Sequence, residues 1–87
     1  MELMRKLNTI TGMEKLDSDL LRTFLAIADA GSFTEGAVRI FRSQSAASLQ
    51  IKKLETLLAQ DVFERKGRGV VLSSVGEKLY PVAQQVT

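Results

Sequence analysis

Arg39, Arg42, Lys52 and Lys53 fall in a stretch with no acidic residue between them, and Arg65, Lys66 and Arg68 make a second basic cluster. Gln44, Ser45, Ser48 and Leu49 lie inside the first stretch. Cations interleaved with an amide and hydroxyls suit one kind of chemistry: neutralising the phosphates of a polyanion while hydrogen-bonding groups read an edge. Catalysis has little to work with. Histidine and cysteine are both absent, which removes the commonest general base, thiolate nucleophiles and the usual zinc ligand sets. No glycine-rich phosphate loop precedes a helix, and no paired carboxylates stand out. The expectation is a binding module, not an enzyme, with no cofactor and no metal.

Composition sets wide bounds around that expectation. A chain of 87 residues fits one small domain with a modest core. The net charge of +2 says little alone; its distribution says more, although charged residues are often only a solvated face. No window is apolar enough for a membrane span. The first residues carry Glu2, Arg5 and Lys6 without an apolar run behind them, unlike a secretory signal.

The elements that would position these side chains are legible from caps and periodicity. Residues 1–15 read as an extension, a frayed tail or a short added helix. A first helix is expected around 18–30, with Asp17 as N-cap, Leu16 and Leu21 as a hydrophobic staple, and Leu21, Phe24, Leu25 and Ala28 as its apolar stripe. Gly31 ends it. Ser32 to Glu35 has capping-box spacing and opens a helix of about two turns, with Phe33, Ala37, Ile40 and Phe41 on one face. After a turn at 41–43, Ser43 caps a third helix. There Ala47, Ile51, Leu54 and Leu58 step by four, three and four and make a buried seam. The opposite face then carries Ser45, Leu49, Lys52 and Thr56, with Lys53 beside them. Strands at 62–65 and 70–72 flank Lys66-Gly67-Arg68-Gly69, a hairpin with a basic tip. Ser74 to Glu77 again has capping-box spacing and opens a last helix. Val75, Leu79, Val82 and Val86 form its stripe, and Pro81 should kink it. The fold class is mainly α: a winged helix-turn-helix of three helices and a two-stranded wing (16–73), followed by a linker helix (74–87).

The wording of the chain adds to this. Leu20-Leu21-Arg22-Thr23-Phe24, Ala30-Gly31-Ser32-Phe33-Thr34, Ser43-Gln44-Ser45-Ala46-Ala47-Ser48, Ile51-Lys52-Lys53-Leu54-Glu55 and Val62-Phe63-Glu64-Arg65 are five such phrases. Gly67-Arg68-Gly69 and Leu72-Ser73 follow them. Together, over residues 16–87, they resemble the N-terminal domain of LysR-type transcriptional regulators. The chain departs from the family pattern at Ser45, where proline is common, and at Leu49, where a basic residue is common. It departs also at Gly36, usually alanine, and at Ala59, usually glycine. Ser45 beside Arg42 and Gln44 is similar to a subgroup that regulates motility and virulence traits.

The resemblance implies sequence-specific binding of double-stranded operator DNA by a homodimer or higher homo-oligomer in the bacterial cytoplasm, at the nucleoid. A small-molecule inducer would act only through a further domain. The third helix enters the major groove, with Gln44, Ser45, Ser48 and Leu49 toward bases. Ser32, Thr34, Arg42, Ser43, Lys52, Lys53, Arg65 and Arg68 face phosphates. Val75, Leu79, Val82 and Val86 form a dimer seam. Blander roles stay open: Ser32, Ser43 and Glu35 as helix caps, Leu49 as an ordinary exposed leucine, and the Val75–Val86 stripe packed on the first helix. A winged helix used only for protein association is the alternative function.

Overall fold

The computed structural model describes residues 14–86, with side chains from residue 18 onward. Of the expected extension over residues 1–15, residues 1–13 lie outside the described residues while Glu14 and Lys15 belong to the first helix, and the side chain of Leu16 in the expected staple also lies outside them. The described residues form α1 (Glu14–Ala30), α2 (Phe33–Arg39), α3 (Gln44–Leu58), β1 (Phe63–Lys66), β2 (Gly69–Leu72) and α4 (Ser74–Val86). Because α1 already includes Glu14, Asp17 sits within the helix and is not its N-cap. Leu20, Leu21, Thr23, Phe24 and Ile27 are the buried face of α1, while Leu25 and Ala28 are only partly buried. The stripe expected from Leu21, Phe24, Leu25 and Ala28 is therefore rotated toward Leu20 and Ile27. Those two residues complete the same 3.6-residue period.

The chain turns twice with hydroxyl caps in the expected places. Gly31 takes φ +70°, the left-handed conformation that glycine adopts without a Cβ penalty. Ser32 Oγ then accepts from the Glu35 N–H at 3.2 Å and opens α2. Ser43 Oγ accepts from the Ala46 N–H at 3.0 Å and opens α3. Between them Phe41 corrects the sequence expectation. It lies outside α2 in a left-handed conformation, φ +57°, and its side chain is 96% exposed. The apolar pattern that placed it on the α2 face continued one residue past the point where the backbone leaves the helix.

The seam of α3 forms as the spacing predicts: Ala47, Ile51, Leu54 and Leu58 are all buried. They join Leu20, Leu21, Phe24, Ile27 and Ala37 in one core that also takes Val62, Phe63, Val70, Leu79 and Ala83. A buried polar link crosses this packing, where the Thr23 hydroxyl donates to Gln50 Oε1. Phe63 stacks against Phe24 at 5.4 Å and against Phe33 at 5.7 Å between ring centroids, so the wing is rooted in the helices.

The two strands pair antiparallel with Lys66 opposite Gly69, one residue longer at each inner end than the sequence suggests. The connection is thus two residues, Gly67-Arg68, with Gly67 at φ +59°. A positive φ at the first loop residue matches the twist of paired strands, and glycine supplies it.

The last helix differs most from expectation. Its cap is Ser73, not Ser74: Ser73 Oγ accepts from the Gly76 N–H at 3.0 Å and donates to the Asp61 carbonyl at 2.7 Å. Leu79 and Ala83, both 0% exposed, turn into the chain's own core. Leu79 is therefore unavailable to a partner copy, while Val75 and Val82 are half-buried and Val86 is exposed. The helix continues through Pro81, which lacks the N–H that would bond the Glu77 carbonyl. Tyr80 fastens α4 to α1 by donating to Asp29, and that bond is the chief reason its phenol is held above the usual value of 10.0. Because the phenol's pKa is raised on folding, the tie's contribution is fully present below the usual value of 10.0 and is lost as pH rises through the higher folded-state pKa.

Ala59 closes α3 in the left-handed conformation at φ +58°. That conformation costs an L residue roughly 1 kcal/mol. Ala59→Gly is expected to raise stability by up to about 1 kcal/mol and the melting temperature by up to roughly 4–8 °C, measured by thermal circular dichroism. No gain, or a loss, would count against the strain at this cap.

Candidate nucleic-acid interface

Burial of one α3 face leaves the other to solvent. Gln44, Ser45, Ser48, Leu49, Lys52 and Lys53 are all exposed, as the helical period requires. Leu49, at 56%, is a large apolar group on an otherwise polar face. No acidic side chain of α3 joins it: Glu55 is half-buried, and its carboxylate accepts from the Val62 N–H at 2.9 Å, so it serves the chain's own turn.

Three elements converge on this face. A cleft of about 410 Å³ is lined by Ser32 and Thr34 from the start of α2, Gln44, Ser48, Lys52 and the carboxylate-bearing Glu55 from α3, and Arg65 and Arg68 from the wing. The wing is held there by backbone contact. The Val70 N–H donates to the Gly31 carbonyl at 3.0 Å, and a Cβ on Gly69 would lie 2.4 Å from that same oxygen. Only a residue without a side chain lets the hairpin approach the α1–α2 turn so closely.

The structure thus brings together seven of the residues singled out from sequence and places others around them. Ser45, Leu49 and Lys53 lie along the same exposed helix. Ser43 is exposed at its cap. Arg42 is turned toward α1, where its guanidinium pairs with Asp19 at 3.7 Å, and Asp19 also meets Arg22 at 3.8 Å. Such long, partly exposed pairs contribute at most about 1 kcal/mol. Arg42 remains 36% exposed and can exchange one anion for another. Sequence reading missed this pair, because no local spacing links Asp19 to Arg42. It missed equally that the Thr34 hydroxyl donates to Gln44 Oε1 at 3.0 Å.

A family model described as bacterial regulatory helix-turn-helix protein, lysR family, matches residues 18–77. The chain belongs to the LysR family. Among curated LysR-type relatives, the regulator DgdR of Burkholderia cepacia is 46% identical over 71 residues, covering 82% of this chain and 24% of its own. PecT of Dickeya dadantii (strain 3937) is 40% identical over 79 residues, covering 91% of this chain and 25% of its own. The chain therefore spans about a quarter of the length of these relatives. Its fold matches a CbnR DNA-binding domain solved with DNA, at TM-score 0.75, 30% identity and 79% coverage of both chains. It also matches a BenM DNA-binding domain on benA site 1 DNA, at TM-score 0.75, 32% identity, and 79% and 80% coverage. The winged helix-turn-helix inferred from caps and periodicity is thus the LysR fold. No described helix is long and apolar enough to cross a membrane.

The Gly31–Gly69 contact generates a direct expectation. Gly69→Ala should force the wing outward, lower stability by about 1–3 kcal/mol as overpacking does, and raise the mobility of Arg65 and Arg68. Hydrogen exchange at the Val70 amide reads it; unchanged protection there would show that the close approach is not what seats the wing.

Proposed function

We propose that this domain reads operator DNA for a bacterial transcription regulator, with α3 in the major groove and the wing on the backbone. The observation that carries the proposal is the cleft in which Ser32, Thr34, Gln44, Lys52, Arg65 and Arg68 face one open side, three cations against one carboxylate, Glu55, which also accepts from the Val62 N–H. The fold likeness to CbnR and BenM domains solved on DNA supports it.

Gln44, at the first residue of α3, sits where a recognition helix meets base edges. Its amide can donate to and accept from an adenine. Ser45 and Ser48 lie beside it, and Leu49 offers an apolar contact for a thymine methyl. Lys52 and Lys53, both a little over two turns along from Gln44, reach the flanking phosphates, with Arg42 exchanging Asp19 for phosphate. Ser32, Thr34 and Ser43 bring hydroxyls to the strand, although Ser32 and Ser43 already act as caps. Arg65 and Arg68 extend the contact to the backbone or a neighbouring minor groove.

Two copies reading a pseudo-palindromic site would place their α3 helices about one helical turn of DNA apart, or a multiple of it. Val82 and Val86 are the residues of the α4 stripe left for such a pairing, since Leu79 and Ala83 serve the core and Val75 packs against it. This assigns the segment from residue 74 onward a joining role between copies. The setting is the bacterial cytoplasm, where the nucleoid is.

Mobility-shift titration against a duplex selected from a random pool, at two salt concentrations, tests the reading. Lys52→Ala is expected to weaken selected and random duplexes alike and to reduce the salt slope by about 1. Gln44→Ala is expected to cost about 1–3 kcal/mol at one base pair only. Binding of every duplex no tighter than roughly 10⁻⁴–10⁻⁶ M, the non-specific range, would instead favour a module for protein association.

A further inference from the structure

The contact between Thr34 and Gln44 suggests more than two separate DNA ligands. Thr34 is the second residue of α2 and Gln44 the first of α3. Each helix start is fixed by its own hydroxyl cap, Ser32 for α2 and Ser43 for α3. The backbone therefore sets the separation of the two side chains, and the Thr34 hydroxyl donates across it to Gln44 Oε1 at 3.0 Å.

We propose that Thr34 is a positioning residue that holds the Gln44 side chain in place and so sharpens base choice at one position of the operator. A glutamine amide has two faces of opposite hydrogen-bonding sense, related by a half-turn of its last torsion. Free in solvent, it presents either to a base. In the structure the Thr34 hydroxyl donates to the carbonyl end, which ties that end of the side chain back toward α2. Nε2, with its two N–H donors, then leads toward the open side of the cleft. One lone pair of Oε1 remains, so an adenine can be served on both atoms, N7 by the amide and the exocyclic amine by the carbonyl. The hydroxyl can also accept from a turned amide, so what the contact holds is the place of the side chain at the mouth of the groove.

Two features of the residue types favour this role. Threonine is β-branched and stiff at its first torsion, so its hydroxyl is held in place at small entropic cost. Glutamine is among the side chains that lose most freedom on being fixed, so orienting it before DNA arrives removes part of the cost of binding. Thr34 carries no charge and is not needed for phosphate attraction, which Lys52, Arg65 and Arg68 supply from the same cleft.

The inference rests on the operator-reading proposal, and the test separates the two. The 87-residue chain is used to select duplexes from a random pool, and the selected duplex is compared with its single-base variants for wild type, Thr34→Val, Thr34→Ser, Gln44→Ala and the Thr34→Val/Gln44→Ala double variant. Thr34→Val keeps the shape and removes the donor; melting by circular dichroism confirms folding of this exposed substitution. Expected are a loss of at least about threefold in discrimination by Thr34→Val, confined to the base pair that Gln44→Ala also relaxes. Expected too are retention of discrimination by Thr34→Ser and a double variant no worse than Gln44→Ala. Thr34→Val with undiminished discrimination would overturn the positioning role, as would equal losses on all duplexes (a phosphate contact) or additive losses in the double variant. Failure of wild type to select any sequence would overturn the operator-reading proposal itself.

Discussion

A helix with one buried stripe has no choice about where its other face points, and that constraint governs this domain. Ala47, Ile51, Leu54 and Leu58 are fixed in the one core, with α1 and α2 packed against their helix. Truncating such a leucine or isoleucine costs about 2–5 kcal/mol, a large share of the stability of any small domain. The side chains presented to a partner thus depend on the strength of a core they do not touch. Lys52 and Lys53 are held outward because Ile51 and Leu54 are held inward.

The remaining elements refine that arrangement. Capping hydroxyls on Ser32 and Ser43 fix where α2 and α3 begin, so that Thr34 and Gln44 arrive within hydrogen-bond distance. The ring contacts of Phe63 with Phe24 and Phe33, together with the Gly31–Val70 backbone bond, fix the wing relative to both helices. Two basic elements remote in sequence thereby share one cleft. Weak surface pairing stays local: Arg42 rests on Asp19, a half-buried neighbour on α1.

Much of this was readable from the residues. The α3 seam, the Ser32 and Ser43 caps and the basic hairpin follow from local rules, because periodicity and capping act within four residues of chain. Errors came where a local pattern was ambiguous or a partner was distant. Ser73 and Ser74 both precede a plausible first turn, and only the Asp61 carbonyl, twelve residues back, decides for Ser73. Leu79 fits an outward seam as well as an inward one until α1 is seen to cover it. Phe41 continues an apolar rhythm yet lies in the turn, fully in water. The Thr34–Gln44 and Asp19–Arg42 contacts join different elements, and no spacing rule reaches them.

The account stands on the exposed face of α3 being the surface that meets a duplex. Titrating the ¹⁵N-labelled domain with a selected DNA duplex and following backbone amides by NMR measures this most directly. The largest shifts are expected along residues 43–53, at 32–34 and across the wing turn at 65–69, with the outer side of α1 little changed. Shifts concentrated on α1 or α4, with the Gln44–Lys53 amides unmoved at saturation, would contradict it.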